Sequence, residues 1–558
     1  MSGFANSITE SGHYDSASYA AGEPITVRDE GGFWNGDTDV IVIGLGAAGA
    51  SAAIEARAGG KQVMVLERFE GGGATALSGG IYYGGATEQL RAAGFADSVD
   101  EMYSYLKNEI DGAVQDTTLR DFCNSSAENL KWLEAQGVEF GCRVDEEKRS
   151  YPRVGYDLYY SGNERASSNK KLSKPAPRGH RVSGKGFTGG VLAEKLIQSA
   201  IAQGVDVRLQ ARVRRLIVGD SGEIVGAEAL VIPSTSRAAL RHKKLIRKVN
   251  KYQRFLPHIA LNTLRQISKL EDAEGVLCRI KASKGVILAT GSFAFNRAMI
   301  NRYAPNYINA MPVGTVGCDG SGIRLGQSVG GAVSYMDRVS AWRSISPPSC
   351  FVKGIIVNRE GRRFIAEDSY LGHIGRAIVE QQNDSAWIII EKSELKQAYL
   401  ETLPRVNSGW LSLGAAFLVN LIVNLKKSSS LEGLAKACGI DASGLVDTVA
   451  GYNKMVDVGI DEFEKASKYL KKIGSGSYYA LSLSTKNPLL PCPSIPMGGL
   501  SIDEMTGSVL REDGSAIKGL YAAGRCAVGI PSGFYISGTA VADCVYSGRR
   551  AAKHICST

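Results

Sequence analysis

Apolar and polar positions first form a readable pattern at residues 37–68. DTDVIVIG reads as a buried strand, GLGAAGASAAIEARAGG as a glycine turn running into a helix of small residues, and KQVMVLER as a second buried strand. Two later apolar runs, GVILATG at 285–291 and GLYAAG at 519–524, predict further buried strands. The second leads into a glycine-rich loop and a helix beginning near Gly538. Two stretches depart from this pattern. Between 231 and 279, where a simple β-hairpin is expected, Leu245, Val249, Tyr252, Leu256 and Ile259 recur at helical spacing with basic residues between them, and Pro257 predicts a bend or break. GWLSLGAAFLVNLIVNLKK, at 409–427, is uncharged and mostly apolar until its final lysines. A bilayer crossing needs about 20 apolar residues, so this shorter run predicts a buried or interfacial helix.

The first unit carries chemistry. In its GxGxxG turn, Gly44 permits the tight turn, Gly46 lets the backbone approach a pyrophosphate, and Gly49 lets the helix pack on the strand. The helix N-terminus faces the phosphates, and Glu67 ends the second strand where a carboxylate accepts hydrogen bonds from a ribose. The run FEGGGATALSGG that follows offers amides and hydroxyls to a second stretch of phosphate and to a flavin ring, which favours FAD over NAD. The expected contacts to a non-covalent FAD are Gly44, Gly46, Ala47, Ala48, Gly49, Glu67 and Arg68, then Gly72, Gly73, Ala74, Thr75, Ser78, Gly79 and Gly80. Val213, Thr290, Gly291, Gly524, Arg525, Gly538, Ala540 and Val541 complete the set. No second GxGxxG follows a strand, and the sequence has neither a haem-attachment CxxCH nor a cluster of iron–sulfur cysteines, so electrons are expected to pass through an external carrier. No metal site is expected.

A chain of 558 residues exceeds one compact core. The spacing predicts an α/β protein: a two-dinucleotide-binding, Rossmann-like FAD domain over 37–337 and 484–558, an inserted α+β capping domain over 338–483, and a polar arm over 1–36. The net charge of +9 suggests nucleic acid, but residues 234–275 hold ten Arg/Lys against three Asp/Glu and so supply +7 of it. The basicity is local, and no nucleic-acid groove is expected. The ten cysteines stand singly, and the N-terminal stretch has no basic and apolar leader pattern, which together place the chain in the cytoplasm. The basic hairpin and the apolar run leave two readings open: peripheral docking on an anionic membrane, or a solvated basic face beside a core helix.

GLGAAG, GGGATALSGG, ATGSFAFN and AAGR together resemble the flavoprotein family of fumarate reductases and 3-ketosteroid dehydrogenases, from about Asp39 onward. LYYSGNE (158–164), PAPRGH (175–180), AEDSYLGHIG (366–375) and GFYISGT (533–539) are most similar to its 3-ketosteroid Δ4-(5α)-dehydrogenase branch. The resemblance implies that a steroid-like apolar ketone loses a hydride from carbon 5 to the flavin and a proton from carbon 4, or undergoes the reverse. It also implies Tyr370, Tyr535 and Ser537 as the catalytic set, with Gly538 and Phe295 as substrate contacts. Tyrosine and serine are poor bases at their ordinary pKa, so a linked set of hydroxyls is expected to share the proton, and which oxygen takes it stays open.

The same family offers rival activities. A fumarate or urocanate reductase grips a carboxylate with arginine and histidine, which here would require Arg343, Arg376 and Arg525 to converge; His180 and His373 are otherwise polar supporting groups. A 3-ketosteroid Δ1-dehydrogenase shares fold, cofactor and substrate class. From another class, a flavin-containing membrane-interaction protein would have no turnover of its own.

Overall fold

The structure is a computed structural model that describes residues 24–26, 33–147, 149–253, 257–346, 348–402, 411–487 and 489–558. The opening βαβ unit forms as its pattern predicts: β1 (Gly36–Ile43), α1 (Ala47–Ala58) and β2 (Val63–Glu67). The two strands pair in parallel from Val40 with Val63 to Ile43 with Leu66. Both faces of this pair are covered, so the strands read as unbroken apolar runs without alternation.

The unit lies in a nine-stranded sheet. On one side β3 (Asp206–Leu209) pairs in parallel with β2. On the other, β4 (Ala211–Val218) and β5 (Ile224–Val231) form an antiparallel meander with β6 (Val276–Leu288). The 13 residues of β6 outlast the meander, and its far half pairs in parallel with β1 and with β7 (Ala516–Ala522). Of the arm expected over 1–36, only 24–26 and 33–36 lie among the described residues; Ile25–Thr26 pairs with Ile217 and Val218 as an edge strand.

The departures at 231–279 resolve into two helices between β5 and β6, α2 (Arg237–Tyr252) and α3 (Pro257–Glu274). Ser236 caps α2 by accepting from the Ala239 amide at 3.0 Å, and Pro257 opens α3, where its missing N–H costs nothing. Ala238, Ala239, Ile246 and Val249 are buried, while Arg241, Lys243, Lys244, Arg247 and Lys248 face outward. Of the stripe itself Val249 is buried and Leu245, Tyr252 and Ile259 are half-buried, so much of its apolar surface is packed on the protein. Leu256 lies outside the described residues.

Between 338 and 483 a separate antiparallel sheet joins Ile355–Val357, Trp387–Glu391, Tyr478–Ser482 and Lys426–Ser428, with an apolar cluster on each face. Val339–Ala341 pairs instead with Pro493–Pro496, tying the start of this stretch to the C-terminal segment. Of the apolar run at 409–427, Gly409 and Trp410 lie outside the described residues, and Leu411–Val423 is helical. Leu421 is buried there, whereas Val419, Ile422 and Val423 are exposed. Among the described residues no helix is long and apolar enough to cross a membrane.

Candidate active site

Two of the turn glycines are enforced by packing, and the third has no close contact. A Cβ on Gly44 (φ +99°) would lie 2.7 Å from the Ala289 carbonyl oxygen, and one on Gly49 would lie 2.0 Å from that of Gly44. At Gly46 the nearest neighbour would be Thr75 Oγ1 at 3.7 Å, which leaves room for a ligand to approach the backbone. The N-terminus of α1 has no side-chain cap; Thr75 Oγ1 accepts from the Ala47 amide at 3.0 Å, and the rest of the first turn is available to an anion. Glu67 accepts from the amides of Leu45 and Phe69, each at 2.8 Å, which fixes the carboxylate at the end of the strand where a ribose hydroxyl can donate to it. Burial raises its pKa, and those two amides act in the opposite sense.

At the other end, Gly538 (φ +99°) opens a long C-terminal helix (Thr539–Ser557) that also lacks a side-chain cap. Beside it, buried Arg525 reaches the Met497 carbonyl oxygen with Nη2, while its Nε and Nη1 and the Asp543 Oδ2 have no hydrogen-bond partner among the described residues. Burial pushes the Arg525 guanidinium below its ordinary pKa. A nearly buried cation whose nearest carboxylate oxygen, Asp543 Oδ2, stands 3.9 Å away, close to an uncapped helix start, fits a polar, anionic cofactor such as FAD. Thr290 Oγ1 accepts from the Gly322 amide at 3.1 Å, and Gly291 takes φ +82° at the end of β6, as the turn there requires. Ser78 donates to the Thr75 carbonyl at 2.8 Å and accepts from the Gly80 amide at 3.1 Å, fixing the glycine run.

The loop before Gly538 carries Tyr535 and Ser537. Tyr535 accepts from the Gly538 amide at 3.4 Å. Ser537 Oγ lies 3.0 Å from the hydroxyl of Tyr159, a buried residue in LYYSGNE that sequence reasoning assigned no role. Tyr370 comes from the other sheet's segment, at the N-cap of a short helix (Leu371–Arg376). It is buried in one cluster with Tyr535, Phe534 and Met497, and Trp342, Leu371 and Ile495 pack around them. Burial raises the pKa of all three phenols, and for Tyr370 the neighbouring Tyr535 and Tyr159 add to the rise. At neutral pH the set therefore consists of uncharged hydroxyls within an apolar cage.

Asn163 fixes this arrangement. Its Oδ1 accepts from the Tyr370 amide at 2.6 Å, its Nδ2 donates to His373 Nδ1 at 2.8 Å, and its own amide donates to the Tyr105 hydroxyl at 2.8 Å. The His373 ring stacks on Phe534 with centroids 4.0 Å apart. His180 is buried, donating from Nδ1 to the Arg178 carbonyl at 2.8 Å while Nε2 meets the Thr87 hydroxyl at 2.8 Å; burial lowers its pKa to about 4, so it is neutral.

Phe295 is not brought to the tyrosines; it packs with Phe69 and Val316 against α2 and α3. Nor do the three arginines converge. Arg343 holds the carbonyls of Leu490 and Ser484 at 2.7 and 3.2 Å, Arg376 binds Glu380 and Asp111, and Arg525 stands by Met497.

The FAD binding domain family matches residues 39–540. A 3-oxo-5-alpha-steroid 4-dehydrogenase of Comamonas testosteroni is 39% identical over 88% of this chain and 93% of its own. A probable fumarate reductase of Shewanella frigidimarina is 27% identical over 93% of this chain and 75% of its own. Among solved structures, the 3-ketosteroid Δ4-(5α)-dehydrogenase of Rhodococcus jostii RHA1, in complex with 4-androstene-3,17-dione, superposes with a TM-score of 0.78 at 30% identity, covering 96% of this chain and 99% of that one.

Proposed function

The chain belongs to the FAD binding domain family, among its 3-ketosteroid dehydrogenases and fumarate reductases, and from that premise we propose that it forms or reduces the carbon 4–carbon 5 double bond of a 3-ketosteroid. The observation that carries this reading is the hydroxyl set of Tyr370, Tyr535, Ser537 and Tyr159 inside an apolar cage, in place of converging arginines. An apolar ketone suits that cage and a dicarboxylate does not.

Bound FAD supplies the two-electron acceptor or donor. The Gly46 turn, the start of α1, Arg525 and the uncapped helix at Gly538 are the residues that would hold it. Tyr535, with Tyr370 and the Gly538 amide, donates hydrogen bonds to the carbon 3 ketone oxygen, where negative charge grows as the carbon 4 proton leaves. Comparable oxyanion donors contribute about 3 to 4 kcal/mol each. As the carbon 4 proton moves to Ser537 Oγ, the hydroxyl proton of Ser537 passes to Tyr159 Oη and that of Tyr159 passes on to water, so the pair relays the proton and neither oxygen keeps a net charge; the reductive direction runs the same relay in reverse. We assign residues 338–483 the role of a cap that brings Tyr370 over the site and keeps water from it. The electrons go to or come from an external carrier, which sets the direction.

Incubation with a 5α-3-ketosteroid and an artificial electron acceptor should give the 4-ene, identified by mass and retention time. A 1-ene product, or turnover with fumarate alone, would overturn the assignment.

A further inference from the structure

The α2–α3 hairpin is an insertion in the meander, and it springs from the end of β5 and β6 where Val231 and Val276 pair beside Ala211. That end of the sheet also carries Glu67, which pairs with Leu209. From α3, Glu271 reaches back into this corner, with its side chain only 2% exposed. Its Oε1 and Oε2 accept from Arg68 Nε and Nη2 at 2.9 and 2.8 Å in a two-pronged ion pair. Its Oε2 also accepts from Arg212 Nη1 at 3.0 Å, and its Oε1 lies 3.2 Å from His242 Nε2 of α2. Ser268 of α3 accepts from Arg68 Nη2 at 3.1 Å, and Asp319 stands 3.4 Å from Nη1. The His242 ring lies along that of Phe69, with centroids 6.2 Å apart and planes 28° apart.

Arg68 follows Glu67 directly, and Arg212 precedes Val213. A single buried carboxylate from the insertion thus ties together the two segments expected to meet the adenosine half of FAD. The surrounding cations hold that carboxylate ionised, well below the usual range at about 2. The hairpin's inner face completes the wall, since Ile246, Val249, Leu264 and Ile267 pack on Phe69 and Val316. By contrast, Lys243 and Arg247 meet Glu70 only at 3.9 and 3.8 Å on the exposed surface, a contact that adds little.

We propose that the α2–α3 hairpin is a wall of the adenosine end of the cofactor site, with Glu271 as the positioning residue that sets Arg68 and Arg212 and thereby the Glu67 and Val213 segments. It rests on the FAD reading of the glycine turn and adds a part that the turn does not contain. The chain then retains FAD through an element remote from the redox centre, and loss of Glu271 weakens the adenosine half of the ligand alone.

The test is cofactor binding to apoprotein, measured by quenching of flavin fluorescence, for wild type, Glu271→Gln and Ser268→Ala, with FAD, with FMN, and with AMP as competitor. Glu271→Gln should raise the FAD dissociation constant at least about tenfold and weaken AMP competition, with the FMN constant unchanged. Ser268→Ala, which removes one hydrogen bond and leaves every charge paired, should shift FAD and AMP in the same direction by a smaller factor. If Glu271→Gln does not fold, Ser268→Ala decides. Unchanged FAD binding in a folded variant, or equal losses for FAD and FMN, would overturn the proposal. Wild-type protein that binds neither FAD nor AMP would instead overturn the cofactor reading on which it rests.

Discussion

Replacing Tyr535 with phenylalanine is expected to lower kcat for a 5α-3-ketosteroid by about 10²- to 10³-fold, the loss seen when one oxyanion donor is removed. Flavin content and Tm should stay near wild type, because the Tyr535 ring keeps its contact with Trp342, centroids 5.5 Å apart, and only the hydroxyl goes. That hydroxyl accepts from the Gly538 amide at 3.4 Å, a long bond whose loss costs little. Tyr159→Phe is the informative companion. If Tyr159 only relays a proton taken first by Ser537, the loss should be nearer tenfold, below the roughly 10²- to 10⁴-fold that a direct general acid or base contributes. A Tyr535→Phe enzyme with unchanged kcat would remove the phenol from the chemistry.

The second large effect concerns the cofactor turn. Gly49→Ala places a methyl group 2.0 Å from the Gly44 carbonyl oxygen, between β1 and α1 at the centre of the sheet. Neither backbone can yield without moving the other, so the apoprotein itself should be destabilised by roughly 1 to 3 kcal/mol or more and should not retain FAD. Gly46→Ala is the control, because its methyl group meets nothing closer than 3.7 Å in the protein. That variant should fold with a normal apoprotein Tm yet bind FAD weakly, since the methyl group lies where a pyrophosphate approaches the backbone. Equal Tm losses in both apoproteins would show that the two glycines share one structural role.

How much of this was legible in the chain depended on the range of the forces involved. The glycine turn, the buried strands and the break at Pro257 are local: a few residues fix the backbone, and the pattern is visible within a window of ten. The hydroxyl set was visible only in part. Tyr370, Tyr535 and Ser537 stand in motifs resembling a family, but Tyr159 reaches Ser537 only because Leu158–Tyr159 pairs with His180 and Gly179, a register that no local signal sets. Asn163 likewise gains its role from contacts more than 200 residues away. The hairpin's helices follow from their spacing, but which way the apolar stripe faces does not. Both a membrane and the Phe69 corner would satisfy the same amphipathic pattern, and the buried ion pair between Arg68 and Glu271 is invisible without the fold. Phe295, an aromatic residue shortly after the ATG turn, packs with the helices of the insertion and is not among the residues of the tyrosine cluster, a placement that its local sequence does not signal.

The central claim is that the hydroxyl set serves a steroid ketone and not a carboxylate. The most direct measurement mixes the FAD-loaded protein with a saturated 5α-3-ketosteroid without oxygen and follows the flavin absorbance. Bleaching, with one 4-ene formed per flavin reduced, is the predicted result. A flavin that stays oxidised with the steroid but, once chemically reduced, is reoxidised by fumarate would contradict the account and withdraw Tyr370, Tyr535 and Ser537 from their assigned roles.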